Sequence, residues 1–157
     1  MAADYLDRLA AFVLDTRLED MDPSAVHAAK DVVLDTIGAM LAGSRLEENV
    51  KLALLASRSG DGCKSTLIGH SGKAQPMMAA LSNATSGVAL EVDEGSRLGG
   101  GHPAIHVTPA AFAIGEAEGS TGKQVLESII AGYEVISRIG GATRSRHEIH
   151  SHGTWGT

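Results

Sequence analysis

Apolar positions recur at helical spacing along most of the chain. Tyr5, Leu6, Leu9, Phe12 and Val13 lie three and four apart and so share one face of a helix over roughly Ala3 to Thr16. Asp22-Pro23 reads as a capping carboxylate followed by proline at the first helical position, and Val26, Ala29, Val33, Ile37 and Leu41 carry that helix to a stop at Gly43. Glu47 to Arg58 predicts a third helix, ended by Ser59-Gly60-Asp61-Gly62. Ser65 to Ile68 fits a short strand or extended passage before a turn at Gly69 to Gly72. Pro76 then opens a helix, Met77 to Leu90, whose Ala79, Ala80, Ala84 and Gly87 leave little bulk between it and its neighbours, as a central helix requires.

Val92 to Ile105 predicts a loop, because Gly95, the triplet Gly99-Gly100-Gly101 and Pro103 break helical geometry. It contains Asp93 and His102. Helix resumes from Thr108-Pro109 through Gly115 and Glu118, and a hydroxyl at Ser120 or Thr121 with Gln124 supplies a capping box for a last helix, Val125 to Ile139. The pattern is all-α, a bundle-like domain of about six helices of ordinary length.

Composition sharpens this picture. The chain of 157 residues is 43% hydrophobic but only 3% aromatic, so its core must be built from Ala, Leu, Val and Ile, which favours closely packed helices. A formal charge of −6 without a basic patch argues against nucleic acid as a partner. A lone Cys63 makes neither an internal disulfide nor a thiolate zinc cluster, which fits a reducing, cytoplasmic location. Asp4, Asp7 and Asp15 interrupt the N-terminal apolar residues as no signal peptide would, and no apolar run approaches membrane-spanning length, so no membrane partner is expected.

Several constellations carry possible chemistry. Gly119-Ser120-Thr121-Gly122-Lys123-Gln124 resembles a phosphate loop, yet the first glycine of that motif falls on Ala117 and Gln124 replaces the magnesium-binding hydroxyl, so a capped helix start accounts for it better. His102 and His106 are four apart and His147, His150 and His152 are clustered, but no cysteine joins them and the spacing matches no zinc motif; no metal site is assigned. No serine sits in a nucleophile elbow. Glu91, Asp93 and Glu94 form an acidic run after a helix, the less favourable end of the macrodipole for anions; such a run ordinarily reads as a solvated loop. The terminal stretch His147 to Thr157, dense in imidazoles and glycines, has the composition of an active-site loop. Finding it at the end of the chain suggests an incomplete protein.

In order, Leu34-Asp35-Thr36-Ile37-Gly38 with Leu41-Ala42-Gly43, Ala79-Ala80 with Asn83, Ala89-Leu90-Glu91-Val92-Asp93-Glu94, His102-Pro103 with Val107 and Pro109-Ala110-Ala111, Gly132-Tyr133-Glu134-Val135 with Arg138, and His150-Ser151-His152-Gly153-Thr154-Trp155-Gly156 resemble the N-terminal part of the MmgE/PrpD family. That family includes 2-methylcitrate dehydratase, cis-aconitate decarboxylase and iminodisuccinate epimerase. The resemblance implies that residues 1–157 are part of an all-helical larger domain, whose remainder and a smaller α+β domain are absent. It further implies homodimers and lyase or isomerase chemistry on a small polycarboxylate, without a required metal or organic cofactor. Carried over by position, Asp93, His102 and His150 would be catalytic, and His152, Gly153 and Thr154 would contact substrate. One difference stands out: family dehydratases and decarboxylases tend to read Asp-Asp-Thr-His where this chain has Asp93-Glu94-Gly95-Ser96.

The chemistry suits these residue types. Loss of water, loss of carbon dioxide, or inversion next to a carboxylate passes through a carbanion or enolate, which needs an acid or base that titrates near the working pH. A carboxylate such as Asp93 could hold a histidine in one tautomer. A chain of this length alone is expected to be inactive, with a mobile terminal loop. Two other readings compete: a helical association or dimerisation module without catalysis of its own, and a histidine-rich metal-binding protein.

Overall fold

A computed structural model describes residues 4–58, 62 and 64–143. The described chain is built from α1 Tyr5–Asp15, α2 Pro23–Gly43, α3 Glu47–Ala56, α4 Pro76–Val88, α5 Pro103–Glu118 and α6 Gly122–Thr143, with a 3₁₀ turn at Leu18–Asp20. The fold is all-α. Beside the helices stands a small antiparallel hairpin of β1 Ser65–Thr66 and β2 Lys73–Ala74, with Ser65 opposite Ala74 and Thr66 opposite Lys73.

Local chemistry explains most boundaries. The Asp22 carboxylate accepts from the Ser24 amide at 2.8 Å, and Pro23 opens α2 where no backbone donor is needed. The capping box of α6 belongs to Thr121: its amide donates to Gln124 Oε1 at 2.9 Å, and the Gln124 amide returns to Thr121 Oγ1 at 3.3 Å. Lys123, one residue into that helix, pairs with Glu19, so Gly119 to Gln124 folds as a helix start and not as a phosphate cradle.

The central helix is α4, which packs against α2, α3, α5 and both strands, while α5 continues the stack to α6 and α1 lies on α6. Small residues make this possible. A Cβ added to Gly43 would lie 1.9 Å from the Ser86 carbonyl oxygen, and one added to Gly87 would lie 2.1 Å from Ile105 Cδ1, so α4 meets α2 and α5 nearly backbone to surface. The buried core is correspondingly rich in alanine, with Ala39, Ala53, Ala56, Ala74, Ala79, Ala104 and Ala113 around Met40, Leu67 and Ile105. Asn83 of α4 fixes the hairpin by accepting from the Ile68 amide and donating to the Thr66 carbonyl, both at 2.9 Å.

Two sequence expectations need correction. The second strand was not foreseen, because Lys73-Ala74 is too short to show a period. Helix α5 begins at Pro103 and not near Thr108, and it runs through Pro109. Pro103 occupies the first turn, where its missing donor costs nothing; Pro109 gives up one hydrogen bond, offset by burial of Ala104, Ile105, Thr108 and Pro109. Among the described residues no helix is long and apolar enough to cross a membrane.

Candidate active site

The acidic run and His102 meet in the connection between α4 and α5. At its start the Glu91 amide donates to the Val88 carbonyl at 3.0 Å, and Glu91 adopts a φ of 53°, a left-handed conformation that costs a non-glycine residue about 1 kcal/mol or more. That turn sends the next residues in different directions. Glu91 and Val92 stay exposed, Asp93 is buried, and Glu94 is half-buried. The run is therefore not the evenly solvated loop that its composition predicts.

The glycine triplet then folds the loop back. The Ser96 amide donates to the Gly101 carbonyl at 2.7 Å, the Gly100 amide to the Ser96 carbonyl at 2.9 Å, and the Gly99 amide to Ser96 Oγ at 3.1 Å. Gly100 and Gly101 take φ values of 67° and 151°, which side chains disfavour. Gly99 rests on α6, where an added Cβ would come within 2.9 Å of Ser137 Cα.

This return brings His102, the residue that precedes α5, back over Asp93. Its Nδ1 lies 3.2 Å from Asp93 Oδ2 and 3.3 Å from the Asp93 main-chain oxygen. The main-chain oxygen at hydrogen-bond distance, with the carboxylate beside it, favours the tautomer with hydrogen on Nδ1, which makes Nε2 the basic nitrogen. The imidazole side chain is 21% exposed and the Asp93 side chain 1%, so the ring opens toward solvent with the carboxylate behind it. The carboxylate–imidazole contact is Coulombic and lacks hydrogen-bond alignment; neither Asp93 carboxylate oxygen has a hydrogen-bond partner among the described residues. A buried carboxylate left in this state is costly, and such groups call for a functional explanation.

Beside it, Glu94 is fully engaged. Its Oε1 accepts from the Tyr133 hydroxyl at 2.5 Å, and its Oε2 accepts from the Ala104 amide at 3.3 Å, in the first turn of α5, where the helix dipole favours a negative charge. Burial first, and the bond to Glu94 second, push the Tyr133 phenol up to about 12, against a smaller opposite pull from Ser96. Neither link was visible in the sequence, where Tyr133 and Glu94 are 39 residues apart.

Of the residues singled out from sequence, Asp93 and His102 come together. His150, His152, Gly153 and Thr154 lie outside the described residues. Among the concavities elsewhere, one of about 530 Å³ is walled by Lys30, Val33, Phe112, Val125 and Leu126, and one of about 1070 Å³ by Val13, Arg17, Val107, Gln124 and Val135. Neither includes Asp93 or His102, and neither holds a carboxylate–imidazole pair. The chemistry points to the pair.

Residues 7–157 match the family model described as the MmgE/PrpD N-terminal domain. Cis-aconitate decarboxylase from Aspergillus terreus is 30% identical over 131 residues, an alignment that covers 79% of this chain and 26% of the relative. The protein of the same name from A. terreus strain NIH 2624 / FGSC A1156 matches to the same extent. The chain thus spans about a quarter of the length of the curated relatives it matches.

Proposed function

Because the chain belongs to the MmgE/PrpD family, we propose that it supplies the Asp93–His102 part of an acid–base site for a small polycarboxylate. The observation that carries this reading is the buried Asp93 carboxylate set behind a partly open imidazole, with Nδ1 of His102 turned toward it. In this reading His102 Nε2 takes a proton from a carbon next to a substrate carboxylate, and the C–H electron pair becomes an enolate. In a dehydration, as in 2-methylcitrate dehydratase, that pair expels hydroxide from the neighbouring carbon, which leaves as water with a proton from an acid. In an epimerisation the proton returns on the opposite face. In a decarboxylation the carbon–carbon bond breaks, carbon dioxide leaves, and an imidazolium delivers a proton to the carbon that keeps the pair. Asp93 compensates the imidazolium charge in each case.

His150 is proposed as the second acid–base group, with His152, Gly153 and Thr154 holding a substrate carboxylate. No metal or organic cofactor is required for these steps. The relatives it matches are about four times as long as the aligned stretch, and in this reading such further segments complete the site, in a cytoplasmic homodimer. The test is turnover of citrate-, aconitate- and succinate-like acids by protein expressed from the whole gene, with His102→Gln as the control. Turnover that survives His102→Gln unchanged would remove the proposed base.

One observation favours a second reading, in which these helices also act as an association module. Leu34 and Leu41 on α2 are 70% and 46% exposed, and Met77 and Leu81 on the adjoining α4 are 81% and 51% exposed. Spacings of seven and four place each pair on one helical face. Large exposed apolar groups of this kind ordinarily seek cover. Sedimentation of wild type against Leu34→Glu and Met77→Glu tests it: the variants dissociate if these faces bind another copy, and an unchanged sedimentation coefficient removes this reading.

A further inference from the structure

We propose that Tyr133 is a positioning residue for the Asp93–His102 pair and acts through Glu94, which ties α6 to the first turn of the helix that follows His102. The inference rests on the acid–base reading above and adds a residue that this reading does not use.

Four links make the tie. The Tyr133 hydroxyl donates to Glu94 Oε1 at 2.5 Å, and the other oxygen of the same carboxylate accepts from the Ala104 amide at 3.3 Å. Glu94 follows Asp93 directly, and Ala104 stands two residues after His102. One carboxylate therefore holds the backbone on both sides of the pair, fixing where the buried acid sits relative to the ring.

The pair needs such a tie. Between Asp93 and His102 run Gly95, Gly99, Gly100 and Gly101, a backbone with little steric resistance of its own. Tyr133 sits in the long helix α6, which packs on α5, so it brings the rigidity of the helical layers to a soft loop. A phenol suits the task. With its ionisation pushed up to about 12, it stays a donor at every pH at which an imidazole exchanges protons.

Nitrogen-15 NMR of the imidazoles tests this without relying on turnover. In the wild type, His102 shows the tautomer with hydrogen on Nδ1. Tyr133→Phe removes the phenol donor, and Glu94→Gln leaves one acceptor for the two donors, the Tyr133 hydroxyl and the Ala104 amide, while keeping the shape. Both variants are expected to turn the His102 signal into a mixture of tautomers while amide signals outside the loop and the start of α5 hold their places. A purely structural role for Tyr133 would lower the melting temperature and leave the His102 ring signals unmoved, and that result in the variants overturns the proposal. Should Tyr133→Phe fail to fold, Glu94→Gln alone decides, since it leaves α6 intact. Asp93→Asn separates the two levels: ring signals that respond to Asp93→Asn but not to the other variants keep the pair and remove the tie. A wild-type His102 with hydrogen on Nε2 removes both. In protein expressed from the whole gene, Tyr133→Phe should lower kcat by about 10- to 100-fold with little change in KM, the scale of a misplaced catalytic group.

Discussion

Asp93 Oδ2 stands 3.2 Å from His102 Nδ1 while the Asp93 side chain is only 1% exposed, so the charge facing the imidazole is shielded from water. Low local dielectric strengthens its hold on a protonated ring and makes it expensive when the ring is neutral.

Asp93→Asn therefore separates function from stability. The amide keeps the volume, removes the charge and turns a donor toward Nδ1. Turnover by protein expressed from the whole gene should fall by ~10²- to 10⁴-fold, the range associated with a mispositioned general base. Thermal unfolding should stay level or move upward, since a buried carboxylate without hydrogen-bond partners is lost. A drop in both would mark Asp93 as structural.

Tyr133 yields a pH prediction with a definite sign. Its phenol is raised from 10.0 to about 12, so its stabilising contribution is complete below pH 10 and is lost as pH rises through about 12. In a Tyr5→Phe background, which leaves Tyr133 as the one tyrosine, phenolate absorbance should have its midpoint near 12. Tyr133→Phe should flatten the alkaline part of the wild-type stability profile. A midpoint near 10 would contradict the Glu94 tie.

Two glycines of α2 should respond oppositely to the same methyl group. Gly43→Ala drives a Cβ to 1.9 Å from the Ser86 carbonyl oxygen, and pushing α4 away should cost about 1–3 kcal/mol or more. Gly38→Ala meets nothing within 4 Å in a helix interior and should stabilise by about 0.5–1 kcal/mol. Denaturant midpoints of the two variants check both signs.

The helices were legible because their signals are local. Asp22-Pro23, Pro76 and Thr121 with Gln124 each mark a helix start through chemistry within four residues, and the small residues of α4 announce a central helix. The start of α5 is not legible, because glycine and proline side by side signal a break, although proline in a first turn is compatible with a helix. In the site, Asp93 and His102 could be named from order and composition. Their nearness could not, because it depends on the left-handed turn at Glu91 and on Gly99 seating against Ser137. The roles of Glu94 and Tyr133 were hidden for the same reason: a hydrogen bond between α6 and the loop leaves no periodic trace.

The central claim is that His102 moves a proton at a carbon next to a carboxylate. Its most direct test is heavy-water exchange with citrate-, aconitate- and succinate-like acids, using protein expressed from the whole gene and read by mass spectrometry. The account predicts deuterium beside a carboxylate of one acid with the wild type, slowed by ~10²- to 10⁴-fold in His102→Gln. Exchange at the same rate in His102→Gln, or no exchange and no turnover with any of these acids, would contradict it.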